Sequence, residues 1–376
     1  MAVAMNDKVF PSDRMTSRER LLAAYRGEAV DRLPFWAKVT NDNWRGQQPK
    51  AVAALSEEAL LDAIRADGIF HSPGFARLER PHIRVETRDH DHGRALVTHT
   101  PDGDLVEELR YDRLTQTWHP SVYPVKTRED VARFRWALRD VRVRVDDEAL
   151  ERGQRRREAV GERGILKQGW GTTPLMKLVE HIVGPVQTHY MLADCPEEMD
   201  ALIAEMHAAN LALVRAVAER TPADLVVSVE NTSTTLISPE QFRRYCLRHL
   251  VDVGRAVEGA GKMHELHMCG KTKALLGEID TIPASSMEAF TSPTLGDTRL
   301  SDGRTRAPSK TLVGGTNVNV WLWRVERIQS YVLDELEACP DTRRIVLTTA
   351  GVAPPGCPAA KFRAVGEWLS RVGVRN

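Results

Sequence analysis

The chain is 376 residues long, with 42% hydrophobic and 28% charged residues, ordinary proportions for a globular protein with a large core. Lysine plus arginine and aspartate plus glutamate both number 52. That balance removes the basic excess that would point to nucleic acid or an anionic membrane as partner. No apolar run reads as the roughly 18-residue stretch a membrane span needs, and residues 1–15 read as a mobile leader without a signal-peptide core. Five scattered cysteines, Cys195, Cys246, Cys269, Cys339 and Cys357, form no disulfide framework. A cytoplasmic protein with reduced thiols is the expectation.

In chain order, Thr16-Ser17-Arg18-Glu19 is a capping box opening a helix with Leu21, Leu22 and Tyr25 on one face, stopped by Gly27. Leu33 to Val39 reads as a strand, Ala51 to Ala66 as a helix, and Gly68 to His71 as a short buried strand. From about Glu79 to Val125 the texture changes to alternating segments separated by turns such as Asp102-Gly103, the pattern of inserted antiparallel hairpins. Residues 127–160 read as charged and helical, a solvated face. Strands and helices then alternate strictly. Strands are expected at Ile165–Trp170, Asp224–Val229, Lys262–Met268, Ile282–Glu288, Thr311–Gly315 and Arg344–Thr349, each followed by a helical segment.

Counted from Leu33, this makes eight strand–helix units in one domain over residues 16–376, with the insertion at 79–125. The predicted fold is α/β, a (β/α)8 TIM barrel with an inserted antiparallel β-hairpin region. A doubly wound sheet is the alternative, but no Gly-x-Gly-x-x-Gly turn follows any strand.

In such a barrel the chemistry lies at the carboxyl ends of the strands. His267 and Cys269 alternate on one face of their strand, and imidazole beside thiolate suits zinc better than oxygen-seeking cations. His264 falls on the opposite face. Glu288 ends the next strand and can complete a His/Cys/Glu trio; the bland alternative is a half-buried strand with a satisfied histidine. Glu230 and Asn231 are the candidate catalytic pair. Trp36, His71, Gln168, Trp170 and Asn317 are the candidate substrate contacts, each read from a strand end.

These residues also resemble a known family. Ser17-Arg18-Glu19-Arg20 through Arg32-Leu33-Pro34, Ile237-Ser238-Pro239-Glu240-Gln241-Phe242, His267-Met268-Cys269-Gly270 and Val313-Gly314-Gly315-Thr316-Asn317 are similar to the uroporphyrinogen decarboxylase superfamily. The Arg-Gln-Ala-Gly-Arg segment of true uroporphyrinogen decarboxylases is replaced here by Ala37-Lys38-Val39-Thr40-Asn41. The resemblance is therefore to the zinc-dependent branch, which passes methyl groups between corrinoid proteins and thiols or folates. The His-Met-Cys run with a following glutamate is also similar to the zinc site of cobalamin-independent methionine synthase. What the resemblance implies is a methyltransferase with zinc on His267, Cys269 and Glu288, a small-molecule substrate, and a corrinoid (cobalamin) or tetrahydrofolate as methyl carrier, a corrinoid protein being the partner. One departure stands out: the relatives' last ligand, a cysteine in a Gly-Cys-Gly turn, is Ala350 here. Cys357 could replace it only if its loop folds inward. The alternatives are a lyase that decarboxylates a non-porphyrin acid, and a retired barrel that only binds.

Overall fold

The computed structural model describes residues 13–91, 93–113 and 116–375. Eight parallel strands form one sheet in the order first, eighth, seventh, sixth, fifth, fourth, third, second. In chain order these are Phe35–Trp36, Gly68–His71, Gly164–Gly171, Leu225–Val229, Met263–His267, Ser286–Phe290, Thr311–Gly315 and Ile345–Thr348. All eight fall on the segments expected from sequence, and helices between them cover the outside. The TIM-barrel reading therefore holds, and the doubly wound alternative does not.

The first and second strands are the two ends of the hydrogen-bonded order. Asp67 bridges them: its N–H donates to Phe35 O at 2.6 Å, and its Oδ2 accepts from Phe35 N at 2.9 Å. Asp67 is fully buried and paired with Arg20 Nη1 at 2.6 Å and Arg32 Nη1 at 2.9 Å. Burial pushes its carboxyl up, but Arg32 and Arg20 outweigh that and hold it below the usual carboxylate range. Arg20 also pairs with Asp31 at 2.6 Å and Asp13 at 3.1 Å. The expected leader is thus fastened at its end, since Arg14 N and Met15 N donate to Asp31 Oδ2 as well. Residues 1–12 lie outside the described residues.

The helix Ser17–Arg26 begins at the predicted capping box, Thr16 and Glu19 exchanging side-chain bonds with each other's backbone N–H. It packs against the bottom of the barrel, where Leu21, Ala24 and Tyr25 join Ile69, Ile165, Leu225, Val313 and Val346 in one buried cluster. A second, larger cluster lies between the sheet and the outer helices.

Three readings change. The expected helix over 51–66 is broken into Lys50–Ala53 and Glu57–Ala63, because Ser56 accepts from Ala59 N and caps a new start. The segment 127–160 is helical only in part: Arg142–Val145 is a strand, paired antiparallel with Ala76–Glu79. It was hidden because Arg142 and Arg144 alternate with Val141, Val143 and Val145 within a charged context. The hairpin insertion itself is a four-stranded antiparallel sheet, Val85–His90, Gly93–Thr100, Gly103–Asp112 and Thr117–Val122. Finally, Pro196–Arg220 is, by length and composition, long and apolar enough to cross a membrane. Its apolarity serves packing: Leu213, Val214, Val217 and Ala218 are buried against Val226, Val253 and Val257.

Candidate active site at the strand ends

Side chains alternate along each barrel strand, so only every second residue faces inward. The inward set at the carboxyl ends lines a cavity of about 360 Å³ made by Trp36, Lys38, Thr40, Asn41, His71, Lys167, Gly169, Val227, Val229, His267, Glu288 and Val352. A more open depression of about 740 Å³ lies at the opposite end, between Arg18, Asp224, Lys262 and Arg344. Of its basic groups, Arg18 is committed to Asp224, and Lys262 and Arg344 to backbone carbonyls. The strand-end cavity is the one placed where barrel chemistry occurs.

His267 and Glu288 are register partners on the fifth and sixth strands. The imidazole Nδ1–H donates to Glu288 Oε2 in a very short contact, and the Lys38 ammonium sits on Glu288 Oε1. Glu288 is almost fully buried. Burial disfavours its charge, but Lys38, Lys167 and His267 together hold its carboxyl well below the usual range. For His267, burial opposes protonation; Glu288 and the hydrogen bond with Cys269 outweigh it and raise the imidazole to about 9. The pair is therefore an imidazolium facing a carboxylate near neutral pH.

Cys269 follows the strand and donates its thiol to Asn231 Oδ1 at 3.5 Å. Asn231 in turn donates from Nδ2 to Glu180 Oε2 at 2.9 Å. Asn231, Ala289 and Ala350, at the ends of the fourth, sixth and eighth strands, all have positive φ (48°, 60° and 54°). Backbone strain of this kind concentrates at functional rims.

The other candidates are placed as follows. Trp36 and His71 line the cavity; burial and then Lys167 push the His71 imidazole down to about 4. Gln168 does not reach the cavity: it is one residue out of phase, and its inward neighbour Lys167 takes the place. Trp170 shares that outward phase, donates to Ser228 Oγ at 2.8 Å, and lines a neighbouring cavity of about 380 Å³ with Asn231 and Glu180. Asn317 is consumed by the 292–293 loop, donating to Pro293 O at 2.8 Å and Ser292 Oγ at 3.1 Å. Cys357 does not fold inward. It is fully buried among Trp44, Trp321 and Phe362 in the outer layer, with its thiol on Trp321 O at 3.4 Å.

Glu230 is also turned away from the cavity. Its buried carboxylate accepts from Thr173 N at 2.8 Å and Thr173 Oγ1 at 2.6 Å, fixing the start of the helix Pro174–Lys177. Burial, only partly offset by Thr173, raises its carboxyl to about 7 from an ordinary 4.5. The folded state therefore holds this proton more tightly than the unfolded chain. Stability from Glu230 is full below about pH 4.5 and is lost as pH rises through 7, by about 3 kcal/mol at ~1.4 kcal/mol per pKa unit. Glu230→Gln keeps an acceptor for Thr173 N and should flatten that decline in urea unfolding between pH 4.5 and 8.

Lys38 and Lys167 were missed in the sequence. The available signal was Lys167 itself, a charged residue inside the apolar run Ile165-Leu166 of a strand buried on both faces. Glu265 was missed too. It lies deeper in the barrel, accepting from Tyr25 Oη at 2.6 Å and Ser286 Oγ at 3.1 Å.

Whether these donors fit a metal can be judged from their chemistry. His267, Cys269 and Glu288 supply an imidazole, a thiol and a carboxylate, a donor set suited in kind to zinc. Among the described residues no group of three or more His, Cys, Asp or Glu is arranged to hold an ion as it stands. Lys38 occupies one oxygen of Glu288 and Asn231 engages Cys269, so both would have to release their partners.

A family profile described as uroporphyrinogen decarboxylase (URO-D) matches residues 174–371. Among solved structures, a methyltransferase from Methanosarcina mazei aligns over 95% of this chain and 98% of its own, at 16% identity and a TM-score of 0.59. A protein from Listeria monocytogenes described as a vitamin-B12 independent methionine synthase aligns over 59% of this chain and 66% of its own, at 13% identity and a TM-score of 0.38. The first likeness shows a shared fold; the second carries no argument. No curated protein matches the chain.

Proposed function

Because the chain belongs to the uroporphyrinogen decarboxylase family, we propose that it is a zinc-dependent methyltransferase acting in the strand-end cavity. The observation that carries this reading is the meeting of His267 with Glu288 on adjacent strand ends, beside the Cys269 thiol and open to a cavity. The shared fold with a protein described as a methyltransferase, along nearly the whole chain, supports it. His267, Cys269 and Glu288 would hold the ion. Bound zinc supplies a Lewis acid that lowers the pKa of a thiol or oxygen acceptor and readies it to take a methyl group.

The chain's own residues do the rest. Asn231 fixes the Cys269 thiol through its amide oxygen. Trp36, Val227, Val229 and Val352 wall the cavity and limit water around the acceptor. Glu230 holds Thr173 at the start of the helix Pro174–Lys177, away from the cavity. A methyl donor, a methylcorrinoid delivered by a small corrinoid protein or a methylfolate, would approach from the mouth and depart as the demethylated carrier.

A second reading is favoured by one specific observation: Lys38, Lys167 and the charged His267 surround the same cavity. That arrangement suits decarboxylation of a small acid. The bond to the carboxylate carbon breaks, carbon dioxide leaves, and the electron pair left on the substrate takes a proton from His267. Protein purified without added zinc, assayed with methylcobalamin, separates the two. Near one zinc per chain with methylation of a thiol or folate is the expected result. Absence of transfer to either, with carbon dioxide released from an acid, would transfer the assignment to the lyase.

A further inference from the structure

The cavity wall carries two lysine ammoniums, Lys38 and Lys167, beside Thr40 and His71, which can each accept as well as donate. Lys167 is more than nine-tenths buried, yet its ammonium makes no hydrogen bond; the nearest carboxylate oxygen, on Glu265, is 3.6 Å away. It lies 4.4 Å from the centroid of the Trp36 ring, and the Lys38 ammonium lies 5.1 Å from the same centroid. Asn41 accepts from Trp44 N with Oδ1 and leaves its buried Nδ2 without a partner. Among the described residues Glu288 is the only carboxylate lining the cavity, and its two oxygens face His267 and Lys38. A buried donor left without a partner is costly, and more so when it is charged. The cavity is therefore built for a ligand that brings acceptors and negative charge. Apart from Thr40, His71 and Gly169, the remaining wall is Trp36, Val227, Val229 and Val352, which suits an apolar body.

We infer that the substrate is a small carboxylic acid with an apolar body, its carboxylate held by Lys167 and Asn41 beside Trp36. The inference rests on the reaction taking place in this cavity, but on neither methyl transfer nor decarboxylation in particular. It names the group that orients the substrate, leaving its far end toward His267 and Cys269. Lys38 is committed to Glu288, whereas Lys167 has only the long ion pair to Glu265 and is the cation left with hydrogen-bonding capacity.

Equilibrium binding tests this without a methyl donor or turnover. Calorimetric titration of the full chain with benzoate, phenylacetate and hexanoate is compared with benzamide, phenylacetamide and hexanamide at constant ionic strength. At least one acid should bind at least tenfold more tightly than its amide, and Lys167→Met should remove that preference. The inference is overturned if no acid is preferred to its amide by the wild-type chain, a comparison that needs no variant to fold. It is also overturned if a folded Lys167→Met protein keeps the preference. Loss of methyl transfer with an intact acid preference would refute the methyltransferase reading alone.

Discussion

Replacing Asp67 with alanine is expected to lower the unfolding free energy by about 3–5 kcal/mol, the range seen when one partner of a buried ion pair is removed. Two guanidiniums and one strand end lose their partner at once, since Asp67 holds Arg20, Arg32 and the backbone of Phe35. Asp13 and Asp31 still face those arginines, which limits the loss. Urea unfolding should show the midpoint falling with little change in slope. Asp67→Asn, which can still accept from Phe35 N, should fall between wild type and alanine. The pH dependence has a definite sign. The carboxyl is held below its ordinary value of 3.8 in the fold, so its stabilisation is present above that value and is lost as pH falls through the lower folded one. The asparagine variant should lose part of the wild type's steep acid limb. An alanine variant as stable as wild type would remove Asp67 from its role as the join between first and second strands.

The second large effect concerns the metal. Cys269→Ala should weaken zinc binding by ~100-fold or more and take methyl transfer with it, because it deletes the soft ligand of the trio. Lys38→Met should act in the opposite direction. Its ammonium forms an ion pair with buried Glu288, and zinc would have to displace that cation. Removing that competitor should tighten zinc by about 10- to 100-fold, read by competition against a chelating dye. If Lys38→Met weakens zinc, or Cys269→Ala leaves it unchanged, the trio is not the ion's seat.

The barrel was readable in the sequence because its strands are buried on both faces and stand out as apolar runs between amphipathic helices. What failed were local competitions. Ser56 capping a new helix interrupts the apolar spacing of 51–66 without altering it. The strand Arg142–Val145 carries arginines on its exposed face and so looked helical. At the site, parity along the fifth strand and adjacency to the sixth sufficed for His267 and Glu288, which do meet. On the third strand the strand-end reading picked Gln168 and Trp170, whereas parity puts Lys167 on the face toward the cavity. Sequence types could not tell that Glu230 turns toward Thr173, that Asn317 is spent on its own loop, or that Cys357 lies in the outer layer. Each depends on where a side chain points after the chain has closed.

The join between the first and second strands has one more consequence. Trp36 and Lys38 belong to the first strand and its exit, and His71 ends the second, so the cavity stands astride that join. The clasp of Asp67 with its arginines lies at the far end of the same join, below the cavity. The cylinder thus resembles a cuff buttoned at the hem and left unfastened at the collar. With no strand-to-strand ladder among the described residues closing that slit, amide exchange at Ala37 and His71 should outpace exchange at Leu266 and Met287.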